Sequence, residues 1–196
     1  MSIFRNGKVG ARRGNSERQA RKKRNRPILK RVILIFVIGA AAALQYTAAR
    51  YLSIGGVNPN LMLAACVIAG FTIGSEAGGF AGLCLGLYQD AQSGKILGLH
   101  ALLFLYAGVI SGMMPRKPGL GSLPAALIAV YALTVLYEGA LCLFAYTIPL
   151  MREGFIPAAN ILYSIITIII PAAFINAICS VPFFLILQPR SAADAS

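Results

Sequence analysis

From Val32 to Leu187 the chain is a succession of apolar runs with almost no charge inside them, and this leaves few folds open. About 20 consecutive apolar residues span the hydrocarbon of a bilayer, where backbone N–H and C=O groups must pair within the segment, so such runs fold as helices. Val32 to Leu52 is the first run, of about 21 residues, and Asn58-Pro59-Asn60 marks a turn after it. Leu61 to Gly74 and Gly78 to Ala91 are two short runs hinged at Ser75-Glu76. Ile96 to Met114 is the fourth, followed by the loop Pro115-Arg116-Lys117-Pro118-Gly119. Leu123 to Ile148 is the fifth, Met151 to Pro157 reads as a loop, and Ala158 to Leu187 is the sixth, interrupted by Pro171 and Pro182. The expected fold class is an all-α integral membrane protein with about six transmembrane helices. The short pair at 61–91 is the weak point of that count, because the two runs could form one re-entrant element.

The charges agree with this reading. The chain is 58% hydrophobic and 12% charged, where a soluble domain carries about a quarter charged residues. Of 18 Lys+Arg, 12 fall between Arg5 and Arg31. Residues 1–26 form a basic tail that cannot bury enough apolar surface to fold alone, apart from a short helix that could run from Asn15-Ser16 to Arg26. Residues 27–190 form the transmembrane domain and 191–196 a short C-terminal tail. Pro27 suits the first turn of the next helix. Six spans put both termini on one side, with 15 basic residues on that side and Arg50, Lys95 and Arg152 on the other. The positive-inside rule then makes the tail cytoplasmic. The first run is expected to be a signal anchor; a cleaved signal peptide, which the small residues Ala40 to Ala43 would permit, normally has a shorter leader and core.

Arg21, Lys22, Lys23, Arg24, Arg26, Lys30 and Arg31 stand directly before the first span. There the default partner is anionic lipid, at roughly 1 kcal/mol per cation near the surface. The tail holds only Phe4 as an aromatic, so no stacking platform for nucleic acid exists.

Catalytic and metal signals are absent from the sequence. Cys66, Cys84, Cys142 and Cys179 lie in apolar runs without paired or metal-type spacing and read as small hydrophobes. His100 is the only histidine, with no His-x-x-x-His or Glu-x-x-His pattern. No nucleophile motif and no phosphate-binding loop occurs. The expectation is a protein that is not an enzyme and uses no cofactor.

What stands out is small residues at helical spacing. Gly70, Gly74, Gly78, Gly82 and Gly86 recur every four residues and Asp90 continues the series; Gly108 and Gly112 repeat the device on the fourth span. Such strips let membrane helices approach closely. They predict a tight hairpin between the second and third spans, and a docking face for a partner helix is compatible with it.

Three ionisable groups need a partner or a task, since each is expensive in hydrocarbon. Asp90 ends the third span, where the helix dipole disfavours an anion. The free amides opening the fourth span around Gly98 and Leu99 would suit its carboxylate, and Lys95 or Arg50 are other candidate partners. His100 lies early in the fourth span, where packing and hydrogen bonding are its ordinary fate. Glu138 is the deepest charge, on a face with Tyr131, Thr134 and Cys142. Asn160, Ser164, Thr167 and Pro171 form a second polar stripe, continued less regularly by Asn176 and Ser180. A cavity shared by the fifth and sixth spans would suit a small ligand.

The segment Gly82 to Gly112 resembles the MreD family of rod shape-determining proteins of the bacterial inner membrane. The likeness rests on Gly86-x-x-x-Asp90, the short Ser93-Gly94 loop, and Leu97-Gly98-Leu99-His100-Ala101-Leu102 opening the next span. Asn58-Pro59-Asn60-Leu61 ahead of the second span looks similar too, as do the small size and span count. The close match covers about 30 residues, and the long basic tail is a departure. The resemblance implies a non-enzymatic scaffold of cell-wall elongation that works with the membrane-anchored partner MreC, the actin-like MreB and the RodA-like synthase with its class B penicillin-binding protein. Together with the packing and charge readings above, it leaves Gly82, Gly86, Asp90, Gly98, His100 and Glu138 as the structural or partner-binding candidates, Glu138 lying outside the matched segment. In its six-helix layout the family also looks like the substrate-binding subunits of energy-coupling-factor transporters, so binding or transport of a small vitamin-like molecule is the alternative.

Overall fold

The computed structural model describes residues 32–47, 58–94, 97–114, 122–153 and 168–187, with backbone only for 145–153. All its elements are helices. In chain order they are α1 (Val32–Thr47), α2 (Leu61–Ile73), α3 (Ser75–Ser93), α4 (Leu99–Met113), α5 (Leu123–Glu153), α6 (Ile170–Cys179) and α7 (Val181–Leu187). Two stretches are long and apolar enough to cross a membrane: Leu123–Phe144 and Ile170–Leu187, the latter being α6 and α7 end to end. The basic tail, Arg50, Lys95 and the Pro115–Gly119 loop lie outside the described residues, as do Asn160, Ser164 and Thr167.

The centre of the fold is α2. Every residue from Leu61 to Phe71 is buried, as expected of a helix apolar all round. At 13 residues it rises only about 20 Å, short of the roughly 30 Å hydrocarbon layer. Its neighbours are α3, α4, α5, α6 and α7. Ala64, Ala65, Ala69 and Gly70 keep it thin enough for this.

The hinge between α2 and α3 falls at Gly74 rather than at Ser75-Glu76, which open α3. Gly74 takes φ 146°, ψ 167°, a region that essentially only glycine tolerates. It therefore leaves the packing strip and becomes the corner. A second correction concerns the end of the fifth run. Met151 to Glu153 belongs to α5, which runs 31 residues, about 46 Å. The sixth run is divided where its prolines predict: α6 ends at Cys179 and α7 opens at Val181, and Pro171 and Pro182 stand in the first turns of α6 and α7, where a missing N–H costs nothing.

Helices α3 and α4 divide their residues by size. On α3, Gly78, Gly82, Gly86 and Asp90 face inward, while Phe80, Leu83 and Leu87 are exposed. On α4, Ala101, Ala107, Gly108 and Ser111 face inward with Phe104, while Leu102, Tyr106, Ile110 and Met113 are exposed. Small residues thus hold the inside and bulky apolar ones the outside, the reverse of a soluble core.

Candidate functional site

The glycine strip of α3 lies mainly on α4, where a hairpin with α2 was expected. A Cβ on Gly82 would run into the Phe104 carbonyl, one on Gly86 into Ala101 and the His100 carbonyl, and one on Gly112 into the Ser75 backbone. Gly78 is a three-helix junction. Its missing side chain would meet both the Gly108 carbonyl of α4 and Cα of Gly70 on α2. Gly70 itself abuts Gly108 and the Ser111 hydroxyl, which donates to the Gly108 carbonyl at 2.9 Å. The antiparallel pair therefore closes backbone on backbone, once per turn, from Ser75–Gly112 at one end to Gly86–Ala101 at the other. The reason α4 wins over α2 is that it carries its own notches at matching spacing.

Asp90 closes this zipper. Its side chain has no exposure and that of His100 has 11%. Oδ2 accepts from the Gly98 N–H (2.9 Å) and the Ala101 N–H (3.1 Å). Oδ1 accepts from the His100 N–H (3.0 Å) and lies 2.8 Å from His100 Nδ1. An ionised carboxylate only accepts, so Nδ1 carries the proton. The four contacts use the lone-pair sites of both oxygens, satisfy three of the orphan amides at the α4 N-terminus, and set the anion on the favourable end of that helix dipole. Gly98 makes the geometry available: it precedes α4 with φ 94°, left-handed backbone that glycine enters freely. Gly94 caps α3, its N–H bonding the Asp90 carbonyl at 3.2 Å.

A second polar cluster sits at the same end of the bundle and was only half legible. Asn60 caps α2, its side chain accepting from the Leu63 N–H at 3.0 Å, and its own N–H donates to Asn176 Oδ1 of α6 at 2.6 Å. The Leu61 N–H donates to Gln45 Oε1 of α1 at 2.7 Å, and Gln45 Nε2 donates to the Pro59 carbonyl at 3.0 Å. Asn176 Nδ2 reaches Thr134 Oγ1 of α5 at 3.5 Å. Tyr137 of α5 joins the clusters: it is hydrogen-bonded to the Asn60 side chain and its ring lies 6.2 Å from His100 and 5.2 Å from Phe104. Gln45 and Tyr137 were missed by sequence reasoning. A lone amide in an apolar run, and Asn-Pro-Asn directly before one, were the available signals. Asn176 is fully buried and bonded to two protein partners, the Asn60 N–H and Thr134 Oγ1.

Glu138 stands apart. It is half-buried on α5, and among the described residues no hydrogen bond or ion pair reaches its side chain. Thr134, one turn earlier, is buried, while Tyr131 is exposed at the edge of that face. Among the described residues there is no group of three or more His, Cys, Asp and Glu that could hold a metal, and no buried side-chain N or O lacks a partner.

His100→Ala removes one of the four donors to Asp90 and should cost about 1.5 kcal/mol, measured as unfolding free energy in mild detergent. A cost near zero would mean that the ring contributes nothing to the clasp. Comparison with protein-family models, curated proteins and solved structures returns no match to this chain.

Proposed function

We propose that the chain is a multi-pass inner-membrane scaffold of bacterial cell-wall elongation, without catalytic activity, that holds a single-span MreC-like partner and, through it, MreB and the synthase pair. The observation that carries this reading is the fate of the chemically capable residues in the Gly82–Gly112 segment. Asp90 and the Nδ1 of His100 are consumed in bracing two helices. A group saturated with structural bonds has no lone pair left for proton transfer. The outward bulky residues of α3 and α4 support a bilayer location, since scattered over a soluble surface they would make an aggregating patch. Six apolar helical stretches, counting α6 and α7 as one, support six spans with both termini cytoplasmic; α2 and α4 are shorter than the hydrocarbon layer, which local thinning of the bilayer accommodates. The basic tail then lies against anionic lipid.

Purification of the full chain from its native membrane in mild detergent is expected to recover a single-span MreC-like protein in stoichiometric amount. A monomer with no such partner, in a preparation whose fold is intact by circular dichroism, would reject the scaffold reading.

A further inference from the structure

Glu138 lies on Leu123–Phe144, a stretch long and apolar enough to span a membrane, in the interior of α5, which continues to Glu153. A carboxylate there costs roughly 2.5–3.5 kcal/mol on insertion scales, and among the described residues no hydrogen bond or ion pair offsets it. Beside it, a Cβ added to Gly139 would meet nothing within 4 Å. The bare backbone at Gly139 is therefore an unfilled notch, unlike the glycines of α3 and α4, which are all filled. Leu136 and Leu143, one turn to either side, are 64% and 67% exposed.

We propose that Glu138 and Gly139 seat a membrane-spanning helix of another protein that carries a lysine or arginine at matching depth. This rests on the scaffold reading and names the surface it uses. Charge complementarity selects the occupant. A second copy of this chain offers no cation at that depth: the helical stretches 32–47, 61–93, 99–113, 123–144 and 170–187 contain no Lys or Arg, and His100, their only histidine, is spent on Asp90. Lipid tails offer no counter-charge at all. A basic side chain brought across the Gly139 notch supplies both an ion-pair partner and close backbone approach.

The test uses the full chain in lipid vesicles with three synthetic oligoleucine transmembrane peptides, bearing at mid-span a lysine, an aspartate or only leucine. Association is read by energy transfer. The lysine peptide is expected to bind the wild-type chain roughly fivefold more tightly than the leucine peptide. Glu138→Leu is expected to abolish that preference and Glu138→Lys to transfer it to the aspartate peptide. Because Glu138 makes no bond to the described residues, both variants should unfold as the wild type does, which circular dichroism checks. Absence of any lysine preference in the wild type, or its survival in Glu138→Leu, overturns the seat. The native partner separates the two readings: its retention by Glu138→Leu removes this surface and leaves the scaffold standing, whereas its absence from the wild type removes the scaffold.

Discussion

Gly108→Ala is expected to cost about 3 kcal/mol or more of unfolding free energy, the upper end of what overpacking a tight core does. The added methyl points into the carbonyl of Gly78 and would press on its backbone, so no rotamer change relieves the clash. Relief requires α3 and α4 to separate, and every contact along their zipper, down to the Asp90 clasp, loosens with them. The control is Gly139→Ala, whose methyl enters open space. There alanine should be neutral or stabilise by up to about 1 kcal/mol through helix propensity. Titration of both variants with a denaturing detergent, followed by circular dichroism, measures the difference. Equal stabilities for the two would refute backbone-on-backbone packing of α3 with α4.

Asp90→Ala should be comparably damaging, at about 3–5 kcal/mol. It strips the acceptor from three backbone amides and one imidazole at once, and orphaned buried donors incur their full desolvation cost. Asp90→Asn retains one carbonyl oxygen and should fall between alanine and wild type. The double variant Asp90→Ala/His100→Ala should cost clearly less than the two single changes together, because the imidazole no longer lacks its acceptor once it is gone. Additive losses in that cycle would mean that the two residues act independently.

These effects sort the residues by how visible their roles are in the chain. The Asp90 clasp joins groups 8 to 11 residues apart. An anion at a helix C-terminus next to a helix N-terminus has a local solution, and Gly98 after a short loop provides it. The amide-bearing residues are different. Asn60 and Asn176 meet across 116 residues, and only the stacking of α6 beside α2 brings them together. Gln45 looks like a stray polar residue until the start of α2 is placed next to it.

Hydropathy and glycine spacing alone pointed to a helical chain of about six apolar runs whose helices meet through bare backbone; that the described helices include two stretches long enough to cross a membrane came from the structure. Periodicity is a property of each helix by itself, so it needs no knowledge of neighbours. Which helices meet was decided only in three dimensions. Gly78 could have served α2 alone, and it serves α2 and α4 together; Gly74 could have continued the strip, and it makes the corner. A notch specifies close approach without specifying what approaches, and that choice falls to the helix whose own notches come into register.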